Sequence, residues 1–511
     1  MQFTCKRLGL SSDNRVLIMD DDDAFEINAK PGDRVKLTHF KLNGEMEEDG
    51  VVAIINLATG TGLVKKGEVG LYDELWERLK LSSKNKTVDI QLQAKPKSFE
   101  AIMRKVKGKE LSTDEIHEII NDCTAGALLP IEIAAFVIGL EIQDASDREI
   151  VDLANAMAYS GDVLDLGENV FDKHSTGGVP GNKVTLVIVP IVAAAGLLIP
   201  KTSTRAITSP SGTADSMEVL ANVTFPKEKV LKILKDTNAG IFWGGAMELA
   251  PADDALIQVE KPLNSDPFPL MIASIISKKM CMGVKKMVLD IPCGIGTKFP
   301  TIDQGRKFAI RFKDIAQKIG IEAICLLTDA SQPIGHAVGP ALEAREAMYL
   351  LMNPGKGSTS LRNKSTELAA VLLEMGGVAP EGGGNALAQK ILDSGKALKK
   401  MREIIKAQGG NPDISWEDIE IGKHVAEMKA TKSGFITEIR NYHINKIAKL
   451  AGCPAAKKSG VEVVYKRGSR VKEGDVIFKI YSDSEERLKQ AITYYNAHLP
   501  QRFSGMTIEK I

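Results

Sequence analysis

Lys173-His-Ser-Thr-Gly-Gly-Val-Pro-Gly-Asn-Lys183 and Thr202-Ser-Thr-Arg-Ala-Ile-Thr-Ser-Pro-Ser-Gly-Thr-Ala-Asp215 are two loops dense in glycine, hydroxyl and basic residues. A wholly apolar run, Leu186 to Pro200, lies between them. Glycine lets a backbone turn its N–H groups toward an oxyanion, and hydroxyls add neutral donors. Lys173 and Arg205 supply positive charge. That combination is expected where a protein holds phosphate.

Outward from these loops, apolar segments alternate with helical ones. Val184–Val192, Met287–Ile291 and Ala323–Thr328 are read as strands, separated by helices such as Asp303–Ile319. The alternation predicts a large α/β domain with a mixed sheet over residues 169–424. Val184–Pro200 is short for a membrane span and holds two prolines, so a buried helix also explains that run. Upstream, residues 94–168 have helical periodicity. Ser112-Thr-Asp-Glu115 and Ser146-Asp-Arg-Glu149 carry the Ser-x-x-Glu spacing of a capping box. Pro267–Met282 reads as a further helix, within a segment 252–284 that returns to this helical domain. Residues 1–93 form a β-rich N-terminal domain, with strands expected at Arg15–Met19, Arg34–Thr38, Gly50–Ile55, Glu68–Asp73 and Asp89–Gln93. Residues 425–511 return to strands and turns as a C-terminal α+β region. The fold class is therefore multidomain α/β.

Lysines plus arginines number 66 and acidic residues 66, so global charge gives no case for nucleic acid or membrane as a partner. The six cysteines are far apart and include no Cys-x-x-Cys pair, which fits a reducing compartment and argues against a zinc site. Asp20–Asp23 reads as a solvated turn, Gly382-Gly-Gly-Asn385 as a mobile loop, and Ala250-Pro-Ala-Asp253 as a structural turn. The start, Met-Gln-Phe-Thr-Cys-Lys-Arg, lacks the apolar core of a signal peptide, so a cytoplasmic location is expected.

Lys173-His-Ser-Thr-Gly-Gly-Val and Arg205…Gly212-Thr-x-Asp215-x-x-Glu218 resemble the signatures of thymidine and pyrimidine nucleoside phosphorylases. Leu249–Asp253, Ile272–Lys279 and Gly335-His-Ala-Val-Gly339 follow in the same order. The β-rich extension and the enlarged Val179-Pro-Gly-Asn-Lys183 turn resemble the archaeal AMP phosphorylases instead. Val259 stands where the pyrimidine enzymes carry a base-gripping arginine. The C-terminal strands resemble a biotinyl/lipoyl-type hammerhead without its Met-Lys-Met acceptor.

The resemblance implies phosphorolysis of a nucleoside 5′-monophosphate in nucleotide salvage. AMP and inorganic phosphate would give adenine and ribose 1,5-bisphosphate, with CMP and UMP as further candidates. It implies no cofactor and no metal, with phosphate as co-substrate, and a homodimer or larger assembly. By the same resemblance, Lys173, Ser175, Thr185, Ser203 and Thr213 hold inorganic phosphate. Gly178, Thr204, Arg205, Ala206, Ile207, Thr208, Ser209, Thr213, Ser274 and Lys298 line the nucleotide, with Lys298 and Arg205 the candidates for its 5′-phosphate. Asp266 is the implied proton donor. As bare residues, Asp266-Pro267 equally reads as a helix start, and Lys278 and Lys279 as dipole partners at a helix end. His174 is as readily structural as a substrate contact. A pyrimidine nucleoside phosphorylase, a phosphoribosyltransferase of the anthranilate type and an inactive nucleotide-binding protein remain as alternatives.

Overall fold

The computed structural model describes residues 1–12, 15–40, 50–60, 62–82, 86–206, 209–247 and 249–504. In the first ninety residues Phe3 and Cys5, Val35 and Leu37, and Val88 and Ile90 are buried at every second position, as a strand with one face on a core requires. The strands are β1 (Gln2–Arg7), β2 (Val16–Met19), β3 (Arg34–His39), β4 (Val51–Leu57), β5 (Glu68–Leu71) and β6 (Thr87–Leu92). They close into a barrel in the order β1-β5-β2-β4-β3-β6, with β6 pairing back to β1. Phe3, Cys5, Leu17, Met19, Val35, Leu37, Val69 and Val88 fill its interior. Two short helices, α1 (Asp21–Glu26) and α2 (Asp73–Arg78), join the strands. The acidic run expected as a turn is instead the start of α1. Asp20 caps it by accepting from Asp22 N–H at 3.0 Å, and buried Asp23 accepts from Gly67 N–H at 2.6 Å. Carboxylates suit a helix N-terminus because its first N–H groups have no intrahelical partner.

Helices α3 (Ser98–Val106), α4 (Thr113–Ala125), α5 (Pro130–Gln143) and α6 (Asp147–Tyr159) follow. Both expected capping boxes form: Ser112 with Glu115, and Ser146 with Glu149. Glu149 is also buried against Lys105 at 2.8 Å. The barrel is tied to these helices by a buried Arg34–Glu132 pair and by Arg15, whose guanidinium donates to Gly126 O at 2.8 Å. Residues Met1–Ala156 and Ala252–Met271 form one compact unit, and Met157–Pro251 with Ile272–Ile511 the other.

The second unit opens with β7 (Phe171–Ser175), α7 (Thr185–Ala194), β8 (Ile199–Ser203), α8 (Thr213–Met217), α9 (Lys227–Thr237) and β9 (Ala239–Trp243). Helices α10 (Pro251–Leu263) and α11 (Phe268–Cys281) lead to β10 (Lys286–Cys293), α12 (Ile302–Ile319) and β11 (Glu322–Asp329). Strand order is β11-β10-β7, and a parallel bridge between Val170 and Leu198 continues it to β8-β9. The expected mixed sheet is thus corrected. These strand pairs are all parallel, because each crossover carries the chain back to the same end of the sheet before the next strand. Val184–Val192, counted above among the strands, is helix: it supplies the crossover from β7 to β8. Residues Leu186–Val192 are fully buried in the core with helices from further along the chain, which accounts for their being apolar on all sides. Ala250–Asp253, expected as a turn, runs into the first turn of α10.

The rest comprises β12 (Ala337–Val338), α13 (Pro340–Met352), α14 (Thr359–Met375), α15 (Gly384–Asp393) and α16 (Lys396–Ala407). β13 (His424–Lys429), β14 (Gly434–Ile439), α17 (Asn441–Ala451), β15 (Gly460–Val463), β16 (Arg470–Val471), β17 (Val476–Ser482), α18 (Glu485–Ala497) and β18 (Gln501–Ser504) complete it. Two sheets, β12-β15-β17-β13 and β16-β14-β18, pack with α17 and α18 around one apolar core. Gly382–Asn385, expected as a mobile loop, begins α15. Gly384 N–H donates to Glu374 Oε1 at 2.8 Å, and a Cβ there would collide with Ala370 O. Among the described residues no helix is long and apolar enough to cross a membrane.

Candidate active site

Strand β7 has β8 on one side and β10 on the other, so the chain order reverses around it. Ligands of open parallel sheets bind outside the carboxyl ends of the strands at such a switch point. β7 ends there at Ser175 and continues into Thr176-Gly177-Gly178. Gly178 has φ +88°, and a Cβ on it would lie 3.0 Å from the backbone nitrogen of Lys298. Those two nucleotide candidates therefore meet, and only glycine permits the approach.

Strand alternation divides β7 between two buried charge centres. On one face stand Lys173 and Ser175. Ser175 Oγ donates to Asp290 Oδ2 at 2.8 Å, and Asn182 Nδ2 donates to Ser175 Oγ at 3.0 Å and to Asp290 at 3.3 Å. Thr328 Oγ1 donates to Asp290 Oδ1 at 2.6 Å, while Lys364 Nζ lies 3.0 Å from the same oxygen and from the Thr328 hydroxyl. Lys173 Nζ is 3.7 Å from Asp290. Burial alone would raise the Asp290 pKa. Lys364 and Lys173, with hydrogen bonds from Thr328 and Ser175, outweigh it and hold the group down at about 2. Burial lowers Lys173 to about 8, and its neighbour Lys364 adds to the fall against the pull of Asp290.

On the other face, Asp172 pairs with Lys279 at 2.5 Å and Lys201 at 3.6 Å. Lys279 is therefore a buried ion-pair partner, which corrects its reading as a dipole partner at a helix end. His174 stands half-buried beside this centre. Burial, then Lys279, Lys201, Lys278 and Lys173, push its pKa well below the ordinary value, so the imidazole is neutral at pH 7. His174 Nδ1 and Thr176 Oγ1 are buried without a hydrogen-bond partner among the described residues.

The second loop leaves β8 beside the first. Ser203 Oγ donates to Thr204 O at 3.1 Å, and Ser209 Oγ to Ser211 O at 3.0 Å. Asp215 accepts from the N–H groups of Ala206 at 2.7 Å and Gly212 at 2.9 Å, folding residues 204–206 onto the start of α8, where Thr213 is the first residue. Both terminal nitrogens of Arg205 bond Glu218, at 2.6 and 2.7 Å, and its guanidinium lies 4.7 Å from the Trp243 ring centroid. Ile207 and Thr208 lie outside the described residues. Thr185 is buried as the first residue of α7. Ser274, on α11, accepts from Lys278 Nζ at 2.9 Å. Asp266 belongs to the first unit, is exposed, and precedes Pro267, whose carbonyl accepts from Met271 N–H at 2.8 Å.

A family model described as "Glycosyl transferase family, a/b domain" matches residues 167–398, and its helical bundle domain matches 99–161. A "Pyrimidine nucleoside phosphorylase C-terminal domain" matches 435–500. The AMP phosphorylase of Thermococcus kodakarensis is 44% identical over 100% of this chain and 99% of its own. That of Methanocaldococcus jannaschii is 44% identical over 99% and 98%. The chain belongs to the AMP phosphorylase family. It shares its fold with anthranilate phosphoribosyltransferase from Thermus thermophilus, at a TM-score of 0.51 and 19% identity, over 60% of this chain and 99% of that one.

Glu218 stood in the quoted signature, but the sequence reading did not point to three further residues that organise this site, Asp290, Lys364 and Glu346. Asp290 and Glu218 anchor Ser175 and Arg205, and Lys364 reaches Asp290 from α14. Glu346 partners Lys183 of the enlarged turn. The Lys183 ammonium is buried among Gly181 O at 3.1 Å, Ile334 O at 2.9 Å, Ala337 O at 2.7 Å and Glu346 Oε2 at 2.7 Å. A lone acid inside the apolar Met287–Ile291 strand was a signal for Asp290, since a buried charge needs a partner. Lys364 sits in an ordinary helical sequence and offered none.

Proposed function

We propose that the chain catalyses phosphorolysis of nucleoside 5′-monophosphates, with AMP and inorganic phosphate giving adenine and ribose 1,5-bisphosphate. The observation that carries this is the Lys173–Ser175 end of β7, set at the sheet's switch point among buried cations, in a chain whose full-length relatives are AMP phosphorylases. A phosphate oxygen attacks C1′ as the C1′–N bond breaks. The bonding pair leaves on the base nitrogen, which takes a proton. Lys173, Ser175, Thr185, Ser203 and Thr213 hold the nucleophile beneath C1′, where positioning supplies most of the acceleration. Gly178, residues 204–209, Ser274 and Lys298 line the nucleotide, and Asp266 donates the proton. Lys298 and Arg205, whose fork Glu218 engages, are the candidates for the 5′-phosphate. The enzyme works in the cytoplasm as a homodimer or larger assembly.

The test supplies AMP, CMP, UMP, adenosine and thymidine, each with and without phosphate, and measures base release. Phosphate-dependent release from AMP is expected. Faster release from thymidine would overturn the nucleotide reading, and release without phosphate would indicate a hydrolase.

A further inference from the structure

Ser175 has one hydroxyl proton, and it points at Asp290; the amide groups of Gly177 and Asn182 fill its acceptor sites, at 3.3 and 3.0 Å. These contacts seat the Ser175 side chain beside Asp290, and a bound phosphate takes the hydroxyl proton by rotation about the Cβ–Oγ bond. Lys173 stands at an ion-pair distance from the same carboxylate, longer than a hydrogen bond. Asp290 is fully buried, and Lys364 approaches its other oxygen with a side chain only 7% exposed. Two ammonium groups and one carboxylate give this cluster a surplus positive charge at the carboxyl end of β7. Such a surplus, far from bulk water, draws an anion strongly.

We propose that Asp290 and Lys364 are positioning residues for the attacking phosphate. Asp290 fixes Lys173 and Ser175 in place, and Lys364 is the second cation that keeps the cluster net positive toward the anion. The proposal rests on the phosphorolysis reading, which makes phosphate the ligand of Lys173 and Ser175. Without Lys364, Asp290 would neutralise Lys173 and the cluster would lose its surplus charge. Without Asp290, two buried ammonium groups would face each other and Ser175 would lose its acceptor.

The experiment compares the full-length chain with Lys364→Met and Lys364→Arg. Inorganic phosphate binding is measured by calorimetry, and KM is measured separately for phosphate and AMP. Lys364→Met is expected to weaken phosphate binding about tenfold or more, with the AMP KM within about twofold, and Lys364→Arg to restore most of the loss. The titratable groups coupled to Lys173 are Asp290 from β10 and Lys364 from α14 on its own face, and Lys201 from β8 with Asp172 and His174 of its own strand on the other. Losing the like charge of Lys364 should move the high-pH fall of kcat/KM for phosphate to higher pH, a change that a purely structural role would not produce. Unchanged phosphate affinity in Lys364→Met, or an equal loss for AMP and phosphate, overturns the proposal. Should Lys364→Met fail to fold, Thr328→Val decides: it removes the hydroxyl joining Lys364 to Asp290 and should raise the phosphate Kd but not the AMP KM. A wild type that binds phosphate yet leaves AMP intact would defeat the proposed function, while the calorimetric comparison would still decide this one.

Discussion

Glu343, on α13, is buried and accepts from Gly339 N–H at 3.1 Å. Burial raises its pKa from 4.5 to about 7, against the opposing pull of Lys183 and that hydrogen bond. Between those values the folded chain keeps a proton that the unfolded chain has released. Its contribution to stability is therefore full below about pH 4.5 and falls as pH rises to about 7. Glu343→Gln keeps an acceptor for Gly339 and removes the titration. Its stability relative to wild type should climb across that window and level off above it, as read from denaturant midpoints at several pH values. Asp266, the proposed proton donor, is exposed in its own unit. Asp266→Asn should retain AMP binding and lower turnover about a hundredfold or more. Unchanged single-turnover rates would remove Asp266 from the mechanism.

Among the elements, α7 best shows how one segment's sequence can mislead about its form. A run from Leu186 to Val192 without a polar residue has no periodicity to separate strand from buried helix. Parallel pairing decides the matter, because β7 and β8 can run side by side only if the segment between them crosses over. Ile188 is fully buried there. Ile188→Ala should destabilise the second unit by about 2–5 kcal/mol, measured by chemical denaturation, since the surrounding helices cannot close on the gap. The capping boxes at Ser112 and Ser146 were legible because their partners lie three residues away. The partnerships of Asp290 with Lys364 and of Lys183 with Glu346 were not, as they join residues 74 and 163 positions apart.

At the scale of the molecule, the C-terminal region braces the site within the second unit. β15 pairs with β12, directly after the Gly335–His336 corner, and His336 Nδ1 lies 2.7 Å from Val463 O. Asn441 Nδ2 donates to Ala330 O at 2.7 Å, just beyond β11. Lys457 Nζ reaches Glu218 at 2.5 Å and so joins the carboxylate that holds Arg205. Lys457→Ala should lower kcat/KM for AMP about tenfold, a loss of ~1.4 kcal/mol, and leave the phosphate KM within about twofold. Equal effects on both substrates in steady-state kinetics would show that Lys457 does not act through the Arg205 loop. The sequence by itself determined what depends on neighbours: five of the barrel's six strands (β1 was missed), the helix caps, the phosphate-suited composition of the two loops, and the family. Tertiary structure decided which charges those loops face. Burial makes every ion demand a counter-ion, and the nearest counter-ion in space is set by how strands and helices pack, not by spacing along the chain.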